Sequence, residues 1–175
     1  VNVGSEEPNT WTRYLGAVLV AGTLRVKAGE LSVPDGSVGI LFMTSEGRAQ
    51  FFMEGGVVNT TRIGVYNHQP ATLNISDGTI NFNRDQTQSI KIQSNNRTLY
   101  MSKGSNFIMT GGSMNFLKNH SLGDVEENVR GIWLADNTNE TKYSPINYNV
   151  TGGSIVIDGT GMTNGKTFSI FGTDV

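Results

Sequence analysis

The chain of 175 residues contains no cysteine, which excludes disulfide bonds, thiolate metal sites and cysteine nucleophiles. Charge is also scarce: 16% of the residues are charged, and 13 basic side chains nearly balance 15 acidic ones. No basic patch for nucleic acid or for an anionic membrane is therefore expected. Because 37% of the residues are hydrophobic, a buried core is expected rather than disorder.

Long apolar runs are missing as well. The longest run, residues 15–22, is far shorter than the roughly 20 residues of a membrane helix. Glu6 and Glu7 precede it where a signal peptide would carry basic residues. We therefore expect no membrane insertion by this segment. We interpret the chain as a mature product or fragment, with an N-terminal segment or cap over residues 1–15 and a single domain over residues 16–175.

Glycine and asparagine are abundant, with 22 and 18 residues against 4 prolines. The pattern apolar-x-apolar-x-x-Gly-x-apolar-x-apolar recurs five times, and only Thr60 departs from it. Alternation on both sides of the glycine predicts two short strands, each with one buried face. Glycine allows the positive φ of a sharp corner between them. The five corner glycines are Gly29, Gly56, Gly78, Gly112 and Gly153.

A further apolar segment follows each corner, so the unit is three strands repeated about five times. These segments are residues 38–42, 63–66, 90–93, 131–134 and 168–171, with an earlier instance at residues 16–20. One repeat cannot bury its inner face alone, but stacked repeats can. The sequence predicts an all-β fold, a right-handed parallel β-helix that forms a three-sheet solenoid of about five coils. An antiparallel sandwich is the alternative.

The apolar positions of the pattern are expected to face the core and to stack on their counterparts in the next repeat. They are Leu24, Val26, Leu31, Val33, Leu73, Ile75, Ile80, Phe82, Phe107, Met109, Met114, Phe116, Val150, Ile155 and Ile157. Two long insertions, residues 117–130 and 136–147, are expected to project from the same side and to carry contacts.

Strand parity predicts a contact surface. If Ile40, Val65, Ile92, Ile132 and Ile170 face the core, the residue after each must face outward. With Leu19, these outward positions form a mostly apolar row, and such a row needs a cover. A loop of the same chain is one cover; a second copy or a ligand such as a sugar ring is another. The predicted contact residues are Leu41, Tyr66, Trp133 and Phe171, and Gln93 is the polar member of the row.

No catalytic residue, metal site or cofactor is predicted. The aspartates are mostly isolated, and Glu126-Glu127 lies in an insertion. Residues 136–140 carry side-chain oxygens at alternate positions but lack the glycine-centred loop of an EF-hand. His68 and His120 lie in polar turns. Carboxylates that meet on neighbouring repeats remain an alternative, because glycoside hydrolases need only two at close range.

Two segments resemble the passenger domains of bacterial autotransporter adhesins: residues 72–82, TLNISDGTINF, and residues 107–116, FIMTGGSMNF. The resemblance extends over roughly residues 16–175. It implies a secreted or bacterial cell-surface segment that acts in binding or as a structural shaft. The expected partner is a receptor or glycan of a host or neighbouring cell, or a second copy that associates through the outer apolar row.

Similar strings occur in phage tailspikes and in β-helical polysaccharide lyases and hydrolases, so a glycan-active protein is the alternative. Three or more carboxylates that converge with Arg or Lys on an outer face would favour the enzyme. An outer face of Asn, Thr and aromatic residues would favour adhesion.

Overall fold

The computed structural model describes residues 16–33, 38–43, 49–60, 62–65, 69–82, 97–116, 129–135, 145–157 and 168–172. Regular structure in these ranges consists of strands alone, which confirms the predicted all-β class. The strands are β1 (Gly16–Val20), β2 (Thr23–Val26), β3 (Glu30–Val33), β4 (Val38–Phe42), β5 (Ala49–Thr60), β6 (Ile63–Val65), β7 (Ala71–Phe82), β8 (Arg97–Ser102), β9 (Asn106–Phe116), β10 (Val129–Ala135), β11 (Asn147–Ile157) and β12 (Phe168–Gly172).

The strands form two sheets. The short-strand sheet has the order β1-β4-β6-β8-β10-β12. The long-strand sheet has the order β11-β9-β7-β5, with β2 and β3 both beside β5. Every pairing is parallel, so the antiparallel alternative is wrong for the described strands. From β4 onward, consecutive strands alternate between the two sheets.

All five predicted corner glycines have positive φ, from 70° at Gly112 to 86° at Gly153. In β5, β7, β9 and β11 the chain passes through the corner without leaving the sheet, and the register shifts there between β5 and β7 and between β9 and β11. Each pair of strands predicted around a glycine is therefore one long strand, except in the first repeat, where β2 and β3 are separate. The described repeats contain two or three strands rather than a uniform three.

The corners of neighbouring repeats lie in contact. A Cβ atom on Gly112 would lie 2.8 Å from the carbonyl oxygen of Gly78, and one on Gly78 would lie 2.8 Å from that of Gly56. Gly29 is different, because a Cβ atom there would meet nothing within 4 Å. The inner corners therefore require glycine for both φ and spacing, whereas Gly29 is required for φ alone.

The core lies between the sheets, and its long-strand rows are in register. One row joins Phe51, Leu73 and Phe107, and the last row stacks the rings of Phe82 and Phe116 with their centroids 4.8 Å apart. Nine predicted core residues are buried: Val33, Leu73, Ile75, Ile80, Phe82, Phe107, Met109, Met114 and Phe116. Five are half-buried and pack against the core: Leu24, Val26, Leu31, Ile155 and Ile157.

Val150 was expected in the core, but 42% of it is exposed. Its partner in β9, Met109, is completely buried. The difference follows from position, since β11 is the edge strand of the long-strand sheet among the described residues. The row that reaches Val150 is covered by a neighbouring strand on one side only.

Thr60, the one departure from the apolar pattern, is nevertheless buried in the inner row. Its hydroxyl donates a hydrogen bond to the carbonyl oxygen of Arg62, with 3.2 Å between the oxygens. A buried hydroxyl is tolerated when it is hydrogen-bonded, so the pattern holds with threonine at this position.

Buried serines support the corner between β8 and β9. The Ser102 hydroxyl donates to the carbonyl oxygen of Gln69, and the Ser105 hydroxyl accepts from the backbone N–H of Ala71, both at 3.0 Å. Gly104, with φ of 81°, completes the turn. These bonds tie the corner to the repeat below it.

Residues 1–15 and most of both insertions, residues 117–128 and 136–144, lie outside the described ranges. The side on which the insertions project therefore stays a prediction. No helix within the described ranges is long and apolar enough to cross a membrane.

The contacts at the glycine corners predict that substitution by alanine lowers the free energy of unfolding by different amounts at different glycines. Gly29→Ala should lower it by about 1–2 kcal/mol, the usual penalty for a left-handed side-chain-bearing residue. Gly112→Ala should lower it by roughly 2–5 kcal/mol, because crowding adds to the φ penalty. Gly22→Ala is the control, since a Cβ there meets nothing within 4 Å. Urea denaturation measures all three, and equal effects of Gly112→Ala and Gly22→Ala would contradict the account.

Candidate functional site

The inner row of the short-strand sheet runs through Val18, Ile40, Ile63, Leu99 and Ile132. This corrects the predicted row at two places. Val65 lies in the core as expected, but it pairs with Phe42, and Ile63 pairs with Ile40. Leu99 of β8 takes the place predicted for Ile92, which lies outside the described residues together with Gln93.

The sequence reasoning missed β8 for a physical reason. Thr98, Leu99, Tyr100, Met101 and Ser102 are all buried, so the strand is covered on both faces. A strand of that kind shows no alternation between polar and apolar residues. The alternation of Ile90-Lys91-Ile92 is the clearer sequence signal, and the strand was predicted there, in residues that lie outside the described ranges.

The predicted outer row also changes. Leu41 pairs with Leu19 and with Gly64, and Trp133 pairs with Tyr100. In the register of β10 and β12, Phe171 pairs with Ile132 and Gly172 pairs with Trp133. Tyr66 lies outside the described residues.

Leu41 and Trp133 are 3% and 6% exposed in a single copy of the chain. Tyr100, the row member that the sequence reasoning missed, is also buried. These three side chains are covered within a single copy of the chain, without a second copy or a ligand. Of the covers considered from the sequence, this agrees with cover by the same chain. Their role in ligand or partner contact stays a prediction.

An open polar surface lies on the outer side of the long-strand sheet. Asn59, Asn81 and Asn115 pair in register there and are half-buried. The side-chain amide of Asn81 donates to Oδ1 of Asn59, and that of Asn115 donates to Oδ1 of Asn81, both at 2.9 Å. We call these three residues the asparagine ladder.

The ladder continues to the first repeat. Nδ2 of Asn59 donates to Oε1 of Glu30 at 2.7 Å and to the Ser32 hydroxyl at 3.2 Å. A carboxamide has two N–H donors and an oxygen with two acceptor positions. Asn81 uses one donor and one acceptor position within the ladder, so it keeps one of each for a ligand or water.

Amides and hydroxyls also line the outer side before the corner. Asn147 donates to Oδ1 of Asn106 at 3.2 Å, and Asn106 donates to the Thr72 hydroxyl at 3.3 Å. After the corner, the hydroxyls of Ser113 and Ser154 lie 2.8 Å apart. The described outer face thus carries amides and hydroxyls that hydrogen-bond to one another, and its rows also include the apolar residues Phe52, Ile108 and Val156.

Every described carboxylate has a partner. Glu54 accepts from the guanidinium of Arg25, and its other oxygen lies 3.9 Å from Nζ of Lys27. The guanidinium of Arg25 also lies 4.1 Å from the centre of the Phe52 ring. Asp77 accepts from the backbone N–H of Gly78 at 2.7 Å, within the corner.

No three His, Cys, Asp or Glu side chains in the described ranges lie close enough together to hold a metal ion. His68, His120, Glu126, Glu127 and residues 136–140 fall outside those ranges. The described site therefore offers hydrogen bonding and one small charged cluster, and Asp77 lies on the strand position paired with Glu54 of that cluster.

Comparison of the chain with protein-family models, with curated proteins and with solved structures finds no match.

Burial of Trp133 predicts a structural rather than a peripheral role. Trp133→Ala should lower the free energy of unfolding by about 3–5 kcal/mol, as for other buried aromatic residues. Tyr148→Ala is the matched control, because Tyr148 is 63% exposed, and it should change stability by no more than about 0.5 kcal/mol. Chemical denaturation beside sedimentation measures both effects. If Trp133→Ala leaves stability unchanged but alters association, the row is a contact surface instead.

Proposed function

We propose that the chain forms a right-handed parallel β-helix of about five coils with three faces. Alternation of consecutive strands between two parallel sheets supports a chain that winds in one direction. The glycine corners divide the long-strand sheet into two faces, and the short-strand sheet supplies the third. Right-handed crossovers join nearly all parallel strands within a sheet, which favours the right-handed form.

The proposed function is that of a binding shaft in a secreted or bacterial cell-surface protein, of the type found in autotransporter adhesin passenger domains. The observation that carries this proposal is the outer face of the long-strand sheet, where the asparagine ladder and neighbouring hydroxyls lie in register. Stacked repeats give length and rigidity, and the outer face gives a repeating set of donors and acceptors.

The chemistry of the ladder suits a glycan or a polar receptor surface. Hydroxyl groups of sugars both donate and accept, as does the remaining hydrogen-bonding capacity of Asn81. Because the amides are already oriented by one another, binding loses less side-chain entropy than it would with free asparagines. The partner is a receptor or glycan of a host or neighbouring cell.

The alternative of a glycan-active enzyme receives no support from the described residues, because the three carboxylates there, Glu30, Glu54 and Asp77, are engaged in ladder, ion-pair and corner contacts. The criterion set by the sequence, several carboxylates converging with a basic residue, is not met among them.

The proposal is tested with labelled protein on intact cells and on an immobilised glycan panel, with an assay for new reducing ends on the same glycans. We expect binding without cleavage. A double variant, Asn81→Ala with Asn115→Ala, should weaken binding at least tenfold. Thr110→Ala, at an exposed corner position, is the control and should bind normally.

Thermal melts establish that each variant is folded before binding is compared. New reducing ends would contradict the proposal in favour of an enzyme. Unchanged binding by the folded double variant would remove the asparagine ladder as the contact surface.

A further inference from the structure

Two rows of side chains lie side by side on the outer side of the long-strand sheet, before the glycine corner. The first row runs from β2 to β11 in register and consists of neutral hydrogen-bonding residues: Thr23, Gln50, Thr72, Asn106 and Asn147. We call it the polar row. The Thr23 hydroxyl donates to Oε1 of Gln50 at 3.3 Å, and Thr72, Asn106 and Asn147 are joined by the bonds described above.

The second row lies two residues further along each strand and mixes polar with apolar side chains. We call it the mixed row, and it consists of Arg25, Phe52, Asn74, Ile108 and Asn149. Phe52 and Ile108 are two strands apart, with Asn74 between them. The side chains of Asn74 and Asn149 make no hydrogen bond to another described residue, which leaves the donors and acceptors of both carboxamides for a ligand or water.

Solvent reaches both rows. Every member is exposed or half-buried, including those in the middle of the sheet such as Thr72 and Ile108. The outer residues of the short-strand sheet differ, because Leu41, Tyr100 and Trp133 are buried. The long-strand rows are therefore accessible to a ligand in a single copy of the chain.

The two rows together have the chemistry of a surface for neutral sugars. The hydroxyl groups of a sugar both donate and accept hydrogen bonds, as do the side chains of the polar row. The C–H groups of a sugar ring pack against apolar side chains, which Phe52 and Ile108 supply. The charges beside the rows are balanced, because Arg25 and Lys27 lie against Glu54, and Asp77 occupies the position paired with Glu54.

The direction of the rows determines the shape of the ligand. Equivalent positions recur from strand to strand at about 4.8 Å, so the polar row continues across the whole sheet. Phe52 and Ile108 are two such steps apart, about 10 Å, which is close to the length of two linked sugar rings. A chain of β-linked sugars that presents the same face at every second ring can contact both. A single terminal sugar would use only part of either row.

We propose that the polar row and the mixed row bind the internal part of a linear, neutral polysaccharide that lies across the strands. The inference rests on the proposed binding function and names a class of partner for it. It adds a second contact surface, since the asparagine ladder lies on the other side of the glycine corner. The members of the polar row are already oriented by hydrogen bonds to one another, which lowers the entropy lost on binding.

The test is isothermal titration calorimetry of the full chain with three neutral hexasaccharides, cellohexaose, mannohexaose and xylohexaose. The corresponding disaccharides and hexagalacturonate, an anionic hexasaccharide, serve as comparisons. We expect at least one neutral hexasaccharide to bind at least tenfold more tightly than its disaccharide and than hexagalacturonate. Absence of binding by all three, or equal affinity for a hexasaccharide and its disaccharide, would overturn the proposal. Binding of the same protein to intact cells would then leave the proposed function standing.

Protein variants locate the site. Thr72→Ala with Asn106→Ala should weaken hexasaccharide binding at least tenfold, and Ile108→Asn serves if the double variant melts early. Thr79→Ala is the control, because Thr79 is half-buried on the other side of the corner, and it should bind normally. Unchanged binding by the folded row variants would overturn the proposal. If the ladder variant, Asn81→Ala with Asn115→Ala, then loses binding, the glycan lies on the asparagine ladder, and only the proposed function is retained.

Discussion

Close contact between successive glycine corners is the constraint on which the rest of the structure depends. The backbone of one corner touches that of the next, so the long strands of neighbouring repeats are held at the spacing of paired strands. That spacing brings side chains at equivalent positions together. Inside, it stacks the rings of Phe82 and Phe116; outside, it places Asn81 within hydrogen-bond distance of both Asn59 and Asn115.

The same constraint orders the outer side of the long-strand sheet. Along the length of the sheet, register converts repeated Asn and Ser into an ordered polar surface suited to a neutral ligand. At β11, the edge of this sheet among the described strands, apolar residues such as Val150 are exposed. The outer side of the sheet and its edge at β11 therefore differ in chemistry within the described residues.

Sequence alone predicted the features that depend on local pattern. The glycine corners and most inward positions of β7 and β9 could be assigned because alternation and positive φ leave a direct signature. The burial of Trp133 could not be predicted in this way, because strand parity gives the direction of a side chain but not what covers it. The place of β8 was missed because a strand buried on both faces shows no alternation. The exposure of Val150 depends on sheet order, which no local pattern records.

The most direct test of parallel, in-register stacking uses the absence of cysteine from the chain. Asn81→Cys with Asn115→Cys places two thiols on directly paired positions, with Cα atoms about 5 Å apart, within reach of a disulfide. Asn81→Cys with Ser113→Cys shifts one partner by two residues, to about 8 Å, which is beyond that reach. The account predicts rapid oxidation of the first pair only, and faster or equal oxidation of the second would contradict it.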